Sequence, residues 1–74
     1  MTPFDVEKAK LGAPVCTRDG NEVLRLTFLD EGEHPILAVV QFKNEYGVYK
    51  YGSRYTNDGV YIKGVETGYD LMMK

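Results

Sequence analysis

The sequence predicts a mainly β (α+β) domain: a small curved antiparallel sheet, or an SH3-like partly open barrel, of four to five strands with one short N-terminal helix. Three observations lead there. Only the first dozen residues carry a helical pattern, the apolar and aromatic stretches that follow are short, and each is closed by Gly, Asn, Asp or Pro. That punctuation belongs to a meander of hairpins rather than to βαβ crossovers. A chain of 74 residues holds one such domain, residues 1–74, and no second. Its 43% hydrophobic and 12% aromatic content argues for a folded core rather than disorder.

Thr2-Pro3-Phe4-Asp5 reads as a helix start, with Thr2 as N-cap, Pro3 at the first helical position and Asp5 near the positive end of the dipole. Phe4 and Leu11 then share one face for burial, and Gly12 with Pro14 stops the helix. Val15 to Thr17 is a short strand, and Arg18-Asp19-Gly20-Asn21 is a hairpin turn. Glu22 to Leu29 alternates, which places Leu24, Leu26 and Phe28 in the core. Beyond a polar loop, Asp30 to Pro35, the run Ile36 to Val40 is apolar on both faces and predicts a central strand covered on both sides, the helix being the second cover. Asn44 to Gly47 turns the chain and Val48 to Tyr55 returns it. Asp58-Gly59 turns it again, Val60 to Lys63 makes a short strand, and Tyr69 to Met73 closes as a last strand or edge segment with Leu71 and Met73 on one face. Thr-x-Asp-Gly occurs twice, at residues 17–20 and 56–59, with unlike flanks. Two independent uses of one turn chemistry explain it better than a duplication.

Charge and composition narrow the function classes. Nine Lys and Arg against eleven Asp and Glu give a net charge of -2, too little positive field to favour nucleic acid or an anionic membrane. The single Cys16 excludes an internal disulfide and fits a reducing, cytoplasmic compartment. No apolar run approaches the ~20 residues of a membrane helix, and the N-terminus lacks a signal-peptide core. His34 beside Asp30, Glu31 and Glu33 is read as part of a solvated loop rather than a metal site, because no second histidine completes a ligand set. Cys16 sits in an apolar strand with only His34 as an available base, and no phosphate-binding loop or zinc spacing occurs. The expectation is a non-enzyme with no cofactor and no metal.

The candidate binding residues lie in the second half. Residues 1–37 carry four basic and seven acidic side chains, whereas residues 38–74 carry five basic and four acidic. There, from Gln41 to Lys63, Lys43, Lys50, Arg54 and Lys63 are interleaved with Phe42, Tyr46, Tyr49, Tyr51, Tyr55 and Tyr61, against only Glu45 and Asp58. Basic residues among aromatics can hold and stack on an anionic partner. Strand geometry restricts this, since Tyr49, Tyr51, Ser53 and Tyr55 share one face and Lys50, Gly52 and Arg54 the other. The two sets converge only if Gly52 marks a bulge. Otherwise the tyrosines roof the core. Arg18, at the first turn, either holds a ligand or pairs with an acid such as Asp70, and the structural pairing is the preferred reading.

The opening Pro3-Phe4-Asp5-Val6-Glu7-Lys8-Ala9-Lys10-Leu11-Gly12-Ala13-Pro14-Val15-Cys16-Thr17-Arg18-Asp19-Gly20 and the close Tyr69-Asp70-Leu71-Met72-Met73 resemble a group of small uncharacterised proteins of gut bacteria and their phages. These share a PFDxEKAKxGxPVxTRDG opening and a YDLMM-like end. The resemblance implies a cytoplasmic accessory protein from a phage or mobile element. The sequence therefore points to a non-catalytic module that binds a protein partner or a second copy of itself as a homodimer. The alternative is sequestration of a small anion, such as a nucleotide signal, at an oligomer interface.

Overall fold

A turn motif that occurs twice in the sequence builds the same turn twice. In each copy the threonine N–H donates to the carbonyl of the residue four places on, at 2.9 Å for Thr17 and 3.0 Å for Thr56. The glycine N–H closes back on the threonine carbonyl, at 2.8 Å from Gly20 and 2.9 Å from Gly59. The threonine Oγ1 accepts the following N–H, from Asn21 at 3.0 Å and from Val60 at 3.1 Å. Both glycines take positive φ, +88° and +79°, which a residue with a Cβ adopts only under strain.

These turns belong to a computed structural model that describes residues 1–74. Its elements are β1 (Thr2–Pro3), α1 (Val6–Lys10), β2 (Val15–Thr17), β3 (Glu22–Phe28), β4 (Ile36–Asn44), β5 (Gly47–Tyr55) and β6 (Leu71–Met73). The six strands form one open, curved, antiparallel sheet in the order β1-β6-β2-β3-β4-β5. The mainly β expectation holds, and the strand count exceeds four to five because the first residues are extended. Thr2 and Pro3 pair with Met73 and Met72 instead of starting the helix. Pro3 suits that place, because a sheet edge does not need its missing N–H. Asp5 is the N-cap, its Oδ1 accepting the Lys8 N–H at 3.2 Å. Leu11, expected to bury with Phe4, is 88% exposed. Phe4, Val6 and Ala9 pack instead on the core.

The core lies on one face of the sheet. Ile36, Ala38 and Val40 of β4 are fully buried and cluster with Tyr55, Leu71 and Met73, and the helix residue Ala9 joins this same cluster. The helix is therefore not a second cover. Leu37 and Val39, on the outer face of β4, remain half-buried with no layer over them. The alternation expected for β3 is broken by a bulge, since Val23 pairs with Val40 and Arg25 with Val39. The extra residue, Leu24, is 43% exposed, while Val23 takes its place on the core face beside Leu26 and Phe28. Residues 60–63 form no strand but only a bridge from Ile62 to Val65, because Gly59 and Gly64, at φ +79° and +81°, turn the chain on both sides. The closing strand β6 is interior, between β1 and β2.

Candidate functional site

β5 is the last strand of the sheet and pairs only with β4, in unbroken register from Ile36↔Tyr55 to Asn44↔Gly47. Gly52 stands opposite Val39 with no bulge. The two-residue period of a strand then divides the predicted binding residues. Tyr49, Tyr51 and Tyr55 lie on the core face, and Lys50 and Arg54 on the outer face, with Lys43 beside them because it pairs with Val48. The outer face also carries Arg25, opposite Val39. The structure thus does not bring the tyrosines and the cations together. Arg54 is tied to the β3–β4 loop, its Nε donating to the His34 carbonyl at 2.8 Å.

On the core face the rings form a connected series. Phe42 stacks on Tyr49 at 5.3 Å between centroids and meets Tyr51 at 5.6 Å. Tyr51 meets Tyr69 at 6.4 Å, Tyr69 meets Tyr61 at 5.4 Å, and Tyr61 meets Tyr55 at 5.8 Å. Between them opens a cleft of about 510 Å³, lined by Phe42, Tyr51, Tyr61 and Tyr69 together with Asp19, Asn21 and Ser53. Tyr55 is wholly buried and Tyr51 half-buried, and both hydroxyls lie out of reach of solvent without a hydrogen-bond partner. Burial, reinforced by the neighbouring Tyr51, Tyr61 and Asp70, pushes the Tyr55 phenol far up, and the Ser53 hydroxyl, near the phenol but outside hydrogen-bond geometry, offsets least. Burial first, then Tyr69, Tyr61 and Asp19, raises that of Tyr51. Both phenols are neutral at ordinary pH.

The loop that carries Tyr61 and Tyr69 over the sheet is anchored by Asp70, which is 4% exposed. Its carboxylate accepts the Tyr61 N–H at 3.0 Å, the Thr67 N–H at 3.1 Å and the Thr67 hydroxyl at 3.0 Å. Burial alone would raise its pKa. These hydrogen bonds and the Arg18 charge outweigh that and hold it below the ordinary carboxylate value. Arg18 serves the same anchor. Its Nη2 lies 3.7 Å from Asp70, its Nη1 3.3 Å from Glu66, and its Nε donates to the Thr67 carbonyl at 3.2 Å. This is the structural pairing the sequence reading preferred, and it holds the Arg18 side chain within the chain.

Of the cleft residues, Phe42, Tyr51 and Tyr61 belong to the aromatic stretch Gln41 to Lys63 read from the sequence, whereas Asp19, Asn21 and Tyr69 are not linked to it by that reading. Asp19 and Tyr69 are 50 positions apart. They meet because the Asp19 N–H donates to the Gly68 carbonyl at 3.0 Å and the Asp19 carboxylate rests on Gly68, where any Cβ would collide. Cys16 is buried in β2, and no three His, Cys, Asp or Glu side chains gather to hold a metal ion. No helix is long and apolar enough to cross a membrane.

A small antiparallel sheet with one long free edge, the nine-residue β5, and an aromatic cleft defines a domain organised around surfaces. The family model described as Haemophilus phage HP1 protein YO09 matches residues 1–72, nearly the whole chain, and the chain belongs to that phage protein family. The phage association drawn from the two ends of the sequence is thereby supported. Comparison with curated proteins and with solved structures returns no match.

Proposed function

We propose that the chain is a non-catalytic, phage-encoded accessory module of the host cytoplasm that binds a protein partner by adding that partner's strand to β5. The observation that carries this reading is the edge itself. Nine residues, Gly47–Tyr55, run without bulge or proline, and every backbone hydrogen bond they make is in the ladder to β4. Folded proteins usually shield an edge of this kind, and a strand laid along it satisfies the outward N–H and C=O groups.

Charge selects the occupant. Lys50 and Arg54 are the only charged residues of β5. A second copy of β5 would gather four cations along one seam, so an acidic strand is the better partner and a homodimer the poorer one. Placing a photo-crosslinking residue at Val48, in cells that also express the genes flanking this one, tests it. A discrete protein adduct that disappears on Lys50→Glu with Arg54→Glu is expected. An adduct indifferent to that reversal, or none, contradicts the reading.

A second reading, capture of a small anion such as a nucleotide, is favoured by one observation: Arg25, Lys43, Lys50 and Arg54 share the outer face. A rise of several degrees in Tm with one nucleotide from a panel supports it, and a flat panel removes it.

A further inference from the structure

The aromatic cleft lies on the opposite side of β5 from the cations, and we infer that it receives an organic cation, the ammonium or guanidinium of a basic side chain presented by the partner strand. This rests on the strand-addition reading above and sharpens the partner's chemistry.

The walls come first. Successive rings are steeply inclined, Phe42 to Tyr51 by 61°, Tyr51 to Tyr69 by 88° and Tyr69 to Tyr61 by 52°. They bound an open space instead of collapsing into a stack. The negative face of an aromatic ring attracts a cation that sits over it, and several inclined rings do so together.

Charge gives the sign. Asp19 is the only acidic side chain lining the cleft, and no basic one lines it. Its natural neighbour in sequence, Arg18, is turned to Glu66 and Asp70, and Asp19 itself forms no ion pair. The register of β5 sends Lys50 and Arg54 to the other face. With the Tyr51 phenol kept neutral, the space carries one uncompensated negative charge, which repels an anion and attracts a cation.

Position gives the source. Tyr51 and Ser53 of β5 line the cleft, and Tyr69 at its mouth is 50% exposed. A strand added to β5 lies about 4.8 Å beyond it and projects alternate side chains over that face. A lysine or arginine there reaches the rings, while the intervening residues face Lys50 and Arg54. The partner strand is therefore expected to alternate basic and acidic residues.

Titration of the full ¹⁵N-labelled chain with single-residue probes tests the cleft without a strand. The probes are the Nα-acetyl N-methylamides of lysine, arginine, norleucine and glutamate. Saturable amide shifts at Asn21, Tyr61 and Tyr69 are expected with both basic probes, roughly threefold or more tighter than with neutral norleucine. Asp19→Asn should weaken the basic probes and leave norleucine unchanged, and Tyr69→Ala should weaken them as well, with Tm confirming that each variant folds. Norleucine binding equally well, a preference for glutamate, or no saturable shift overturns the inference. Selective binding of the basic probes alongside a charge-independent crosslink at Val48 upholds the cleft and removes strand addition. A charge-dependent crosslink without that selectivity does the reverse.

Discussion

The two faces of β5 are built from the same nine residues and could hardly differ more. On the core side every second position is aromatic or small, the rings run in series from Tyr49 to Tyr55, and a loop locked by Asp70 covers part of them. On the outer side Lys50, Gly52 and Arg54 stand exposed with nothing over them. A sheet this small can afford one core, so one face acquires packing and the other is left to solvent. The lesson is that a mixed basic–aromatic stretch on an unbroken strand makes two surfaces of opposite chemistry, not one site.

The largest effect should come from removing the anchor of the aromatic side. Asp70→Ala strands the Tyr61 and Thr67 N–H groups, the Thr67 hydroxyl and Arg18, and urea unfolding should report a loss of about 3 kcal/mol. The same carboxylate sets an acid limit. Its folded pKa lies below the unfolded one, so its contribution is full above about pH 4 and is lost as pH falls through the lower folded value. Stability measured against pH should fall there in the native chain and be flatter in Asp70→Asn.

A smaller loss, about 2 kcal/mol, is expected for Gly59→Ala, which combines positive φ with a collision against Phe4. Tyr55→Phe separates ring from hydroxyl. Because the buried oxygen has no partner, its removal should leave Tm unchanged or raise it, by the equivalent of about 1 kcal/mol at most. The smallest effect on stability belongs to the outer face, where Lys50→Glu with Arg54→Glu should change unfolding free energy by no more than about 0.5 kcal/mol while abolishing the partner adduct. A loss of several kcal/mol there would mean that the cations hold the fold.

Period-two alternation and turn chemistry made most of this fold legible. The strand β5, its division into ring and charge faces and both Thr-x-Asp-Gly turns follow from local rules, while the Arg18–Asp70 pair joins two residues far apart in the chain and is only one of two readings of a turn arginine. The errors have local causes too. Thr2-Pro3 satisfies the rules for a helix start and for an edge strand alike, and only pairing with β6 decides between them. The bulge at Leu24 leaves no mark in an alternating run of leucines. The apolar outer positions Leu37 and Val39 suggested a second layer, and nothing in the sequence shows that the helix joins the face already buried. The cleft needs Asp19 beside Gly68, a contact across the whole domain that no spacing announces.

The separation of the two faces can be measured directly by ¹³C-edited NOESY on the side chains of β4 and β5. Contacts linking the rings of Phe42, Tyr51, Tyr61 and Tyr69 are expected, together with contacts from the Lys50 and Arg54 methylenes to Leu37, Val39 or Gln41 but none to the rings of Phe42, Tyr61 or Tyr69. Contacts from the Lys50 or Arg54 side chains to the Tyr61 or Tyr69 rings would contradict this separation, since they require the strand to turn over at Gly52.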